Sequence, residues 1–261
     1  MKKYVWIICC LLGFCNAYAA QQPLISLMQR LQQSMPDSSK HHLSNKIQTQ
    51  MAQYLNDNQA FTALLDSVPF VGSIYDADST LRIVSWNYAL QDGTYGCHAI
   101  FVKKERRKAP LIHVWQTRNV QLPSLQKKYT TKNWYGALYY RIVKHKNTYL
   151  LLGYTMYQPA TRVKLIEVLQ YENNKPVLGD KIFDWNGKIQ RRVVFEYNSM
   201  VQMLLHYDEA AKGFVFDHLS PEEPSMEGIR AYYGPDFSYD GLFYRKKRWT
   251  LQEDLDIKNR E

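Results

Sequence analysis

The sequence has little cysteine, and three of its four cysteines lie close together. Cys9, Cys10 and Cys15 fall within the first 19 residues, which leaves Cys97 alone in the rest of the chain. A chain with a single cysteine has no internal disulfide, so its stability must come from an apolar core. The composition can supply one, since hydrophobic residues make up 46% of the chain and aromatic residues 14%.

The sequence also lacks the motifs that define common catalytic and ligand sites. It contains no G-x-S-x-G, no H-E-x-x-H, no P-loop and no paired C-x-x-C. A nucleophile, zinc or nucleotide site of these types is therefore unsupported. Cys97 precedes His98, but neighbours on a strand point to opposite faces, so we expect a buried, apolar cysteine. We expect no cofactor, and a non-catalytic role is favoured over an enzyme.

Acidic residues are nearly absent from the middle of the chain. Residues 101–164 contain 14 Lys or Arg and the single acid Glu105, whereas residues 165–261 contain 13 basic and 17 acidic residues. The densest basic run is 103–108. For an exported protein, its anionic partner would be a lipid headgroup, an acidic polysaccharide or an acidic protein face, and no nucleic acid is expected. A solvated hairpin loop explains the same run without any partner.

The first 19 residues have the pattern of an export signal. Lys2 and Lys3 precede an apolar stretch over 4–14, and Ala17 and Ala19 supply the small residues of a cleavage site. The stretch is shorter than the roughly 20 apolar residues that span a bilayer. We therefore expect a signal peptide over 1–19, a periplasmic or secreted protein, and no transmembrane segment after the signal is removed.

Hydrophobic periodicity divides the remaining chain into a helical segment over 20–68 and a β domain over 69–261. Apolar residues recur on one helical face in two stretches, and a short third helix is predicted over 59–65, capped by Asp57 or Asn58. The stripe residues are Leu24, Leu27, Met28 and Leu31 in the first stretch and Leu43, Ile47, Met51 and Leu55 in the second. Because these stripes are narrow, we expect the helices to cover an edge or end of the β domain.

From residue 70 onward the period becomes two, which predicts an antiparallel meander of about a dozen strands. The predicted strands are 70–75, 81–86, 97–103, 111–116, 134–143, 148–156, 162–171, 176–183, 191–197, 200–207, 213–219 and 237–251, the last as one strand or a hairpin. Segments 81–87, 149–155 and 203–208 form a weak repeat. The fold class is mainly β, either propeller-like with three units or a barrel or sandwich.

The C-terminal third carries the candidate ligand site. Two carboxylates and two aromatic rings fall within 233–241, on what should be a loop leading into a strand, and a third carboxylate lies on the predicted strand 213–219. Rings can stack on a sugar while acids bind its hydroxyls. Asx turns between strands explain the same residues without a ligand. The site residues are Asp217, Tyr233, Asp236, Tyr239 and Asp240.

A metal or acid-base site is a second hypothesis for the same region. A five-residue turn over 209–213 would place His206, Asp208 and His218 on one face of a hairpin. A change of register by one residue would separate them.

Four segments carry a resemblance. They read W-Y-G-A-L-Y-Y from Trp134, R-R-V-V-F-E-Y from Arg191, F-D-H-L-S-P from Phe216 and Y-G-P-D-F-S-Y-D-G from Tyr233. Across residues 81–259 the chain resembles a group of uncharacterised exported bacterial proteins. The resemblance implies export, and it brings no activity or catalytic residue with it.

Together these patterns predict an exported, non-catalytic envelope module that binds a glycan, an anionic polymer or a partner protein. The alternative is a hydrolase of envelope glycan or peptide that uses carboxylates among Asp208, Asp217, Asp236 and Asp240.

Overall fold

The computed structural model describes residues 21–56 and 60–256. Within these ranges two helices are followed by 15 strands, which confirms the mainly β, antiparallel fold class with a helical N-terminal segment. The predicted signal peptide, 1–19, lies outside the described residues, and so do the capping candidates Asp57 and Asn58. Within the described ranges no helix combines the length and apolar character needed to cross a bilayer.

The two helices cover a whole face of the first sheet. Helix α1 spans residues 21–31 and α2 spans Asp37–Asn56. The apolar stripes of both helices are buried against Val84, Trp86 and Ile100. We predicted that the helices would cover an edge or end of the β domain. They cover a face instead, because strands β2 and β3, defined below, are buried on both sides and need a packed layer on each side. Residues 60–62 form a turn instead of the predicted third helix.

The strands follow one another with mostly short connections. Their bounds are β1 Gly72–Tyr75, β2 Leu81–Ala89, β3 Tyr95–Lys103, β4 Leu111–Thr117, β5 Leu138–His145, β6 Thr148–Gln158, β7 Thr161–Glu172, β8 Lys175–Leu178, β9 Phe183–Trp185, β10 Lys188–Gln190, β11 Arg192–Asn198, β12 Leu205–Asp208, β13 Gly213–Pro221, β14 Tyr233–Arg245 and β15 Arg248–Gln252. Two short 3₁₀ turns, Pro224–Met226 and Arg230–Tyr232, lie between β13 and β14.

These strands form three sheets. The first sheet has the order β1-β2-β3-β4, and the second has the order β11-β7-β6-β5 with β8 also paired to β7. The third has the order β10-β9-β15-β14-β13-β12. All pairs are antiparallel except β15 with β9, whose register is Trp249 to Phe183 and Thr250 to Asp184.

The sheets stack face to face under the helices, with one apolar core between each pair of layers. Alternate residues of each inner strand serve different cores. On β6, Leu151 packs toward the first sheet while Leu150 and Leu152 pack toward the third. Cys97 is buried between the first and second sheets, where desolvation raises the pKa of its thiol. The second sheet therefore has apolar contacts on both faces.

The chain leaves the second sheet at Gly179 and returns to it at β11. The predicted strand 176–183 is two strands, β8 and β9, in different sheets. Gly179 has φ of +101°, and a Cβ there would lie 2.6 Å from Nη2 of Arg192. Both features demand glycine at the turning point. Between these two points the chain forms the β9–β10 hairpin. Sequence periodicity did not predict β10.

The three-unit repeat holds for two of its three members. Segments 81–87 and 149–155 lie in β2 and β6, each the second strand of a meander. Segment 203–208 contains the short edge strand β12, which follows β11 of another sheet. The predicted strand 200–207 begins only at Leu205, and 237–251 is the β14–β15 hairpin, with β14 starting at Tyr233.

A fully buried ion pair joins β7 to β11. Glu167 and Arg192 are opposite each other in the register, each side chain is 0% exposed, and Nε of Arg192 lies 2.7 Å from Oε2 of Glu167. The carboxylate also accepts hydrogen bonds from Val168 N at 2.9 Å and Tyr135 OH at 3.2 Å. Burial raises the pKa of Glu167, and these donors oppose the rise. Arg192 also donates to the carbonyl oxygen of Ser124.

We expect Glu167→Gln to lower the free energy of unfolding by about 3–5 kcal/mol, because it leaves the Arg192 charge buried without its counterion. The double variant Glu167→Met with Arg192→Leu should lose less. Glu172→Gln, which breaks the exposed pair with Lys128, is the control and should cost less than about 1 kcal/mol. Urea denaturation measures all three, and equal losses for Glu167→Gln and Glu172→Gln would contradict the expectation.

His98 should make the protein sensitive to acid. Its buried ring stacks on Trp86 at 5.0 Å, Nδ1 lies 2.8 Å from Oε1 of Gln48, and burial, with His41, lowers its pKa to about 3. The unfolded chain binds a proton near pH 6.5, so stability falls as pH drops from there, by up to about 1.4 kcal/mol per pH unit. Urea midpoints between pH 7 and pH 4 should fall less steeply for His98→Gln. Parallel pH dependence in the two proteins would refute this.

Candidate functional site

A cleft of about 430 Å³ lies between the second and third sheets. β11 forms one wall, the end of β13 with Asp240 of β14 forms the opposite wall, and the loop 122–125 closes one side. Its lining residues are Leu122, Pro123, Leu125, Trp185, Gln190, Val193, Val194, Phe195, Glu196, Phe216, Asp217, His218, Leu219, Arg230, Asp240 and Glu253. The size suits a small ligand or one unit of a longer one.

Three aromatic rings pack together at the apolar part of the cleft, where Phe195 and Phe216 are buried, at 6% and 1% exposed, and support Trp185. Trp185 of β9 lies 6.0 Å from Phe216 with its ring nearly parallel, at 21°, and 5.9 Å from Phe195 at 69°. Phe195 and Phe216 are 4.6 Å apart. These contacts hold the rings in place, and Trp185 is only half-buried, so part of its indole is accessible.

The polar part of the cleft is organised around His218. Its Nδ1 lies 2.8 Å from Oδ2 of Asp240, whose side chain is 6% exposed while that of His218 is 39% exposed. The other oxygen of Asp240 accepts a hydrogen bond from Asp254 N at 3.1 Å. The buried carboxylate therefore fixes the imidazole orientation and leaves Nε2 on the accessible side.

A bulge in β14 brings a second carboxylate to the imidazole. Asp217 pairs with Tyr239 and Leu219 with Pro235, so three residues, 236–238, oppose His218 alone. Oδ2 of Asp236 lies 4.0 Å from Nε2 of His218, and its Oδ1 accepts bonds from the amide and hydroxyl of Ser238.

The bulge also carries Phe237 at its tip. This residue has φ of +71° and is 95% exposed. A phenylalanine in the left-handed region is strained, and here the bonds from Ser238 to Asp236 hold it there. The ring is therefore displayed at the rim of the site.

The carboxylates raise the affinity of His218 for its proton. Partial burial lowers the pKa of His218, but the hydrogen bond and charge of Asp240, with Asp236 and Glu253, raise it more. For Asp236, partial burial raises the pKa, and the stronger effect of the bonds from Ser238 leaves it below its ordinary value. The arrangement can bind a donor-rich ligand or exchange a proton with one.

The other carboxylates of the cleft are held by neighbouring donors. Oδ2 of Asp217 accepts a bond from Leu204 N at 2.6 Å. Glu196 accepts bonds from the hydroxyls of Tyr157 and Thr161, and Glu253 from Asn186 at 3.1 Å. Each therefore has a fixed position before any ligand arrives.

The structure brings together three of the five residues predicted for the ligand site. Asp217 and Asp240 line the cleft and Asp236 stands beside it. Tyr233 is buried, accepts a bond from Gly228 N and lies 4.3 Å beneath the guanidinium of Arg230, so it supports a lining residue. Tyr239 is the cross-strand partner of Asp217 but does not line the cleft.

The three residues predicted to hold a metal are not on one face. His206 pairs with Val215 and Asp208 with Gly213, so the turn has four residues, 209–212, where we predicted five. His218 bonds Asp240, which pairs with Phe216, and this places His218 on the face opposite to His206. Asp208 accepts bonds from Ala210 N and Ala211 N. Across 21–56 and 60–256, no group of three His, Cys, Asp or Glu residues could hold a metal ion.

Several cleft residues could not be identified from the sequence. Trp185, Phe195, Phe216, Glu196 and Glu253 lie on four different elements, and each fits the pattern of an ordinary strand or turn residue. Their proximity arises from the packing of β11 against the third sheet, for which sequence periodicity carries no signal.

Comparison with known proteins adds no relative: no family model, no curated protein and no solved structure matches this chain.

We expect NMR titration of His218 to give a pKa above about 6.5 in the native protein. Asp240→Asn should lower that pKa, Asp236→Asn should lower it less, and Asp92→Asn, in an exposed turn of the first sheet, should not change it. Because the folded pKa is raised, the stabilisation from His218 is complete below about pH 6.5 and is lost as pH rises through the folded value. An unchanged pKa in Asp240→Asn would disprove the proposed coupling.

Proposed function

We propose that this chain is an exported binding protein that takes a sugar-like ligand into the cleft between the second and third sheets. The observation that supports this proposal is the partly accessible indole of Trp185, held against the buried rings of Phe195 and Phe216, in the same cleft as the His218 and Asp240 pair. Sugars present apolar C–H faces to aromatic rings and hydroxyl groups to carboxylates and imidazole. The export pattern of residues 1–19 supports an envelope glycan as the class of ligand.

The charge of the cleft favours a glycan without acidic groups. Four acids line it, Glu196, Asp217, Asp240 and Glu253, against Arg230 and His218. An anionic polymer would meet unfavourable potential here, whereas hydroxyl or amino groups would find acceptors. Because the acids are already held by protein donors, they need little reorganisation on binding.

The geometry of His218 supports a second candidate, the hydrolase. An imidazole oriented by a buried aspartate can take a proton from water, as a general base does. Asp236 at 4.0 Å from Nε2 adds a carboxylate at the same position. This candidate requires turnover of the ligand, whereas the binding protein releases it unchanged.

Isothermal titration with neutral hexose and amino-sugar oligomers tests the proposal. We expect the native protein to bind at least one oligomer and Glu253→Gln to weaken that binding about tenfold, because one charged acceptor is lost. Glu223→Gln, an exposed acid outside the cleft, is the matched control and should bind as the native protein does. Equal affinities of the two variants, or no binding by the native protein, would rule the cleft out.

The same mixtures separate the two candidates. Mass spectrometry of the oligomers after incubation should show unchanged chain lengths if the protein only binds. Shortened oligomers with the native protein, and none with His218→Gln, would establish the hydrolase instead.

A further inference from the structure

The turns of all three sheets meet at one end of the stack, which we term the basic end. It comprises the connections β1–β2 (76–80), β3–β4 (104–110), β5–β6 (146–147), β7–β8 (173–174), β12–β13 (209–212) and β14–β15 (246–247). Contacts join these turns across the layers: Lys144 Nζ lies 2.8 Å from Asp78 Oδ2, and Lys146 Nζ lies 2.8 Å from Tyr244 OH. The six turns contain eight Lys or Arg against four Asp or Glu.

The four acids of these turns already have partners within the protein, three of them in ion pairs and Asp76 through hydrogen bonds. Asp76 is buried and accepts bonds from Thr80 and Leu81. The other three pair with strand residues: Asp78 with Lys144, Glu105 with Lys103, and Glu209 with Arg141. Among the residues that the structure describes, none of the eight basic turn residues takes part in an ion pair. The uncompensated charge at this end is therefore positive.

The backbone at these turns is unfavourable for the residues that occupy it. Five of the eight basic residues have positive φ: Arg107, Lys146, Lys212, Lys246 and Lys247, between +47° and +68°. A two-residue hairpin turn with both central residues at positive φ strongly prefers Asn-Gly, and β9–β10 has that pair, Asn186-Gly187. β14–β15 has Lys246-Lys247 instead. Lys246 and Lys247 thus occupy a turn in which Asn and Gly would be more stable, so the positive charge is present at a cost in local stability.

We propose that the basic end docks on the anionic headgroups of a lipid bilayer. The basic residues lie at the ends of three stacked sheets, and stacked sheets are about 10 Å apart. This two-dimensional distribution of charge matches a flat anionic surface better than a single polymer strand. A pocket of about 530 Å³ is lined by four cations, Arg245, Lys246, Lys247 and Arg248, against the single acid Asp184, so its net positive charge can receive a phosphate group. Phe61 lies 6.0 Å from Lys104 Nζ and 6.5 Å from the ring of Tyr75, and such rings suit the interface of a bilayer.

This inference concerns a surface separate from the cleft, and its test involves no sugar. Docking through the basic end leaves the cleft accessible, because the end of β13 and the β14 bulge lie at the other end of their strands. The acids lining the cleft would also be repelled by an anionic surface, which favours the same orientation.

The test is sedimentation with phosphatidylcholine vesicles that contain or lack phosphatidylglycerol. We expect the native protein to bind only the anionic vesicles, with affinity that falls steeply as salt rises. Lys246→Asn with Lys247→Gly should weaken binding about 25-fold, or about fivefold for each charge removed. The same double variant should raise the Tm by about 2–4 °C, because it relieves the strained turn.

The charge-matched control is Arg118→Gln with Lys132→Asn, which removes two exposed cations away from the basic end and should leave vesicle binding unchanged. Native binding by the Lys246 and Lys247 double variant, or equal weakening by the control, would overturn the proposal. An unchanged or lower Tm for that double variant would overturn the argument from backbone strain. Binding to soluble polyuronate but not to anionic vesicles would show that the surface serves an acidic polysaccharide instead.

Discussion

The buried contact between Glu167 and Arg192 determines where the second sheet ends and where the cleft begins. Neither charge can remain in an apolar layer without the other, so β11 is confined to one register on β7. The same guanidinium holds the carbonyl of Ser124, and the neighbouring residues Leu122 and Leu125 line the cleft. Two walls of the site therefore depend on one ion pair that does not itself face a ligand.

Charge is distributed unevenly along the strands, so the two ends of the sheet stack differ in their electrostatic character. Turns at one end carry cations whose acidic neighbours are already paired, while the opposite side holds carboxylates fixed by backbone and hydroxyl donors. The two regions are separated along the length of β13 and β14, which is the arrangement that the two proposals, glycan binding and bilayer docking, both require. The basic run 103–108, noted in the sequence, lies at the basic end.

Local patterns in the sequence were enough to predict the fold class and most strands. The period of two between residues 70 and 251 reflects alternation between cores, and turns such as Asn173-Asn174 have residues that tolerate positive φ. The split at Gly179 could not be predicted, because it depends on the distant Arg192. The turn between β12 and β13 is one residue shorter than predicted. This changes the register by one residue and places His206 and His218 on opposite faces.

The candidate site could be predicted only in part, because it also depends on how distant strands pair. Asp236 and Asp240 are close in sequence and remain close in space, and the pairing of β13 with β14 adds Asp217, whereas its partner Tyr239 does not line the cleft. The bulge at 236–238, which brings Asp236 to His218, depends on the pairing of β13 and β14 and leaves no periodic signal. The aromatic floor comes from three separate strands.

The parallel pairing of β9 with β15 has a consequence for the order in which the molecule can form. Residues 183–185 acquire this neighbour only when 248–252 are available, so the third sheet closes last. During synthesis at about 5–20 residues per second, the interval between completion of β11 and β15 is roughly 3–11 s. During that interval the apolar face of the second sheet that includes Leu150 and Leu152 is covered only gradually, as β12, β13 and β14 are made, and this incomplete cover exposes a nascent chain of this topology to aggregation.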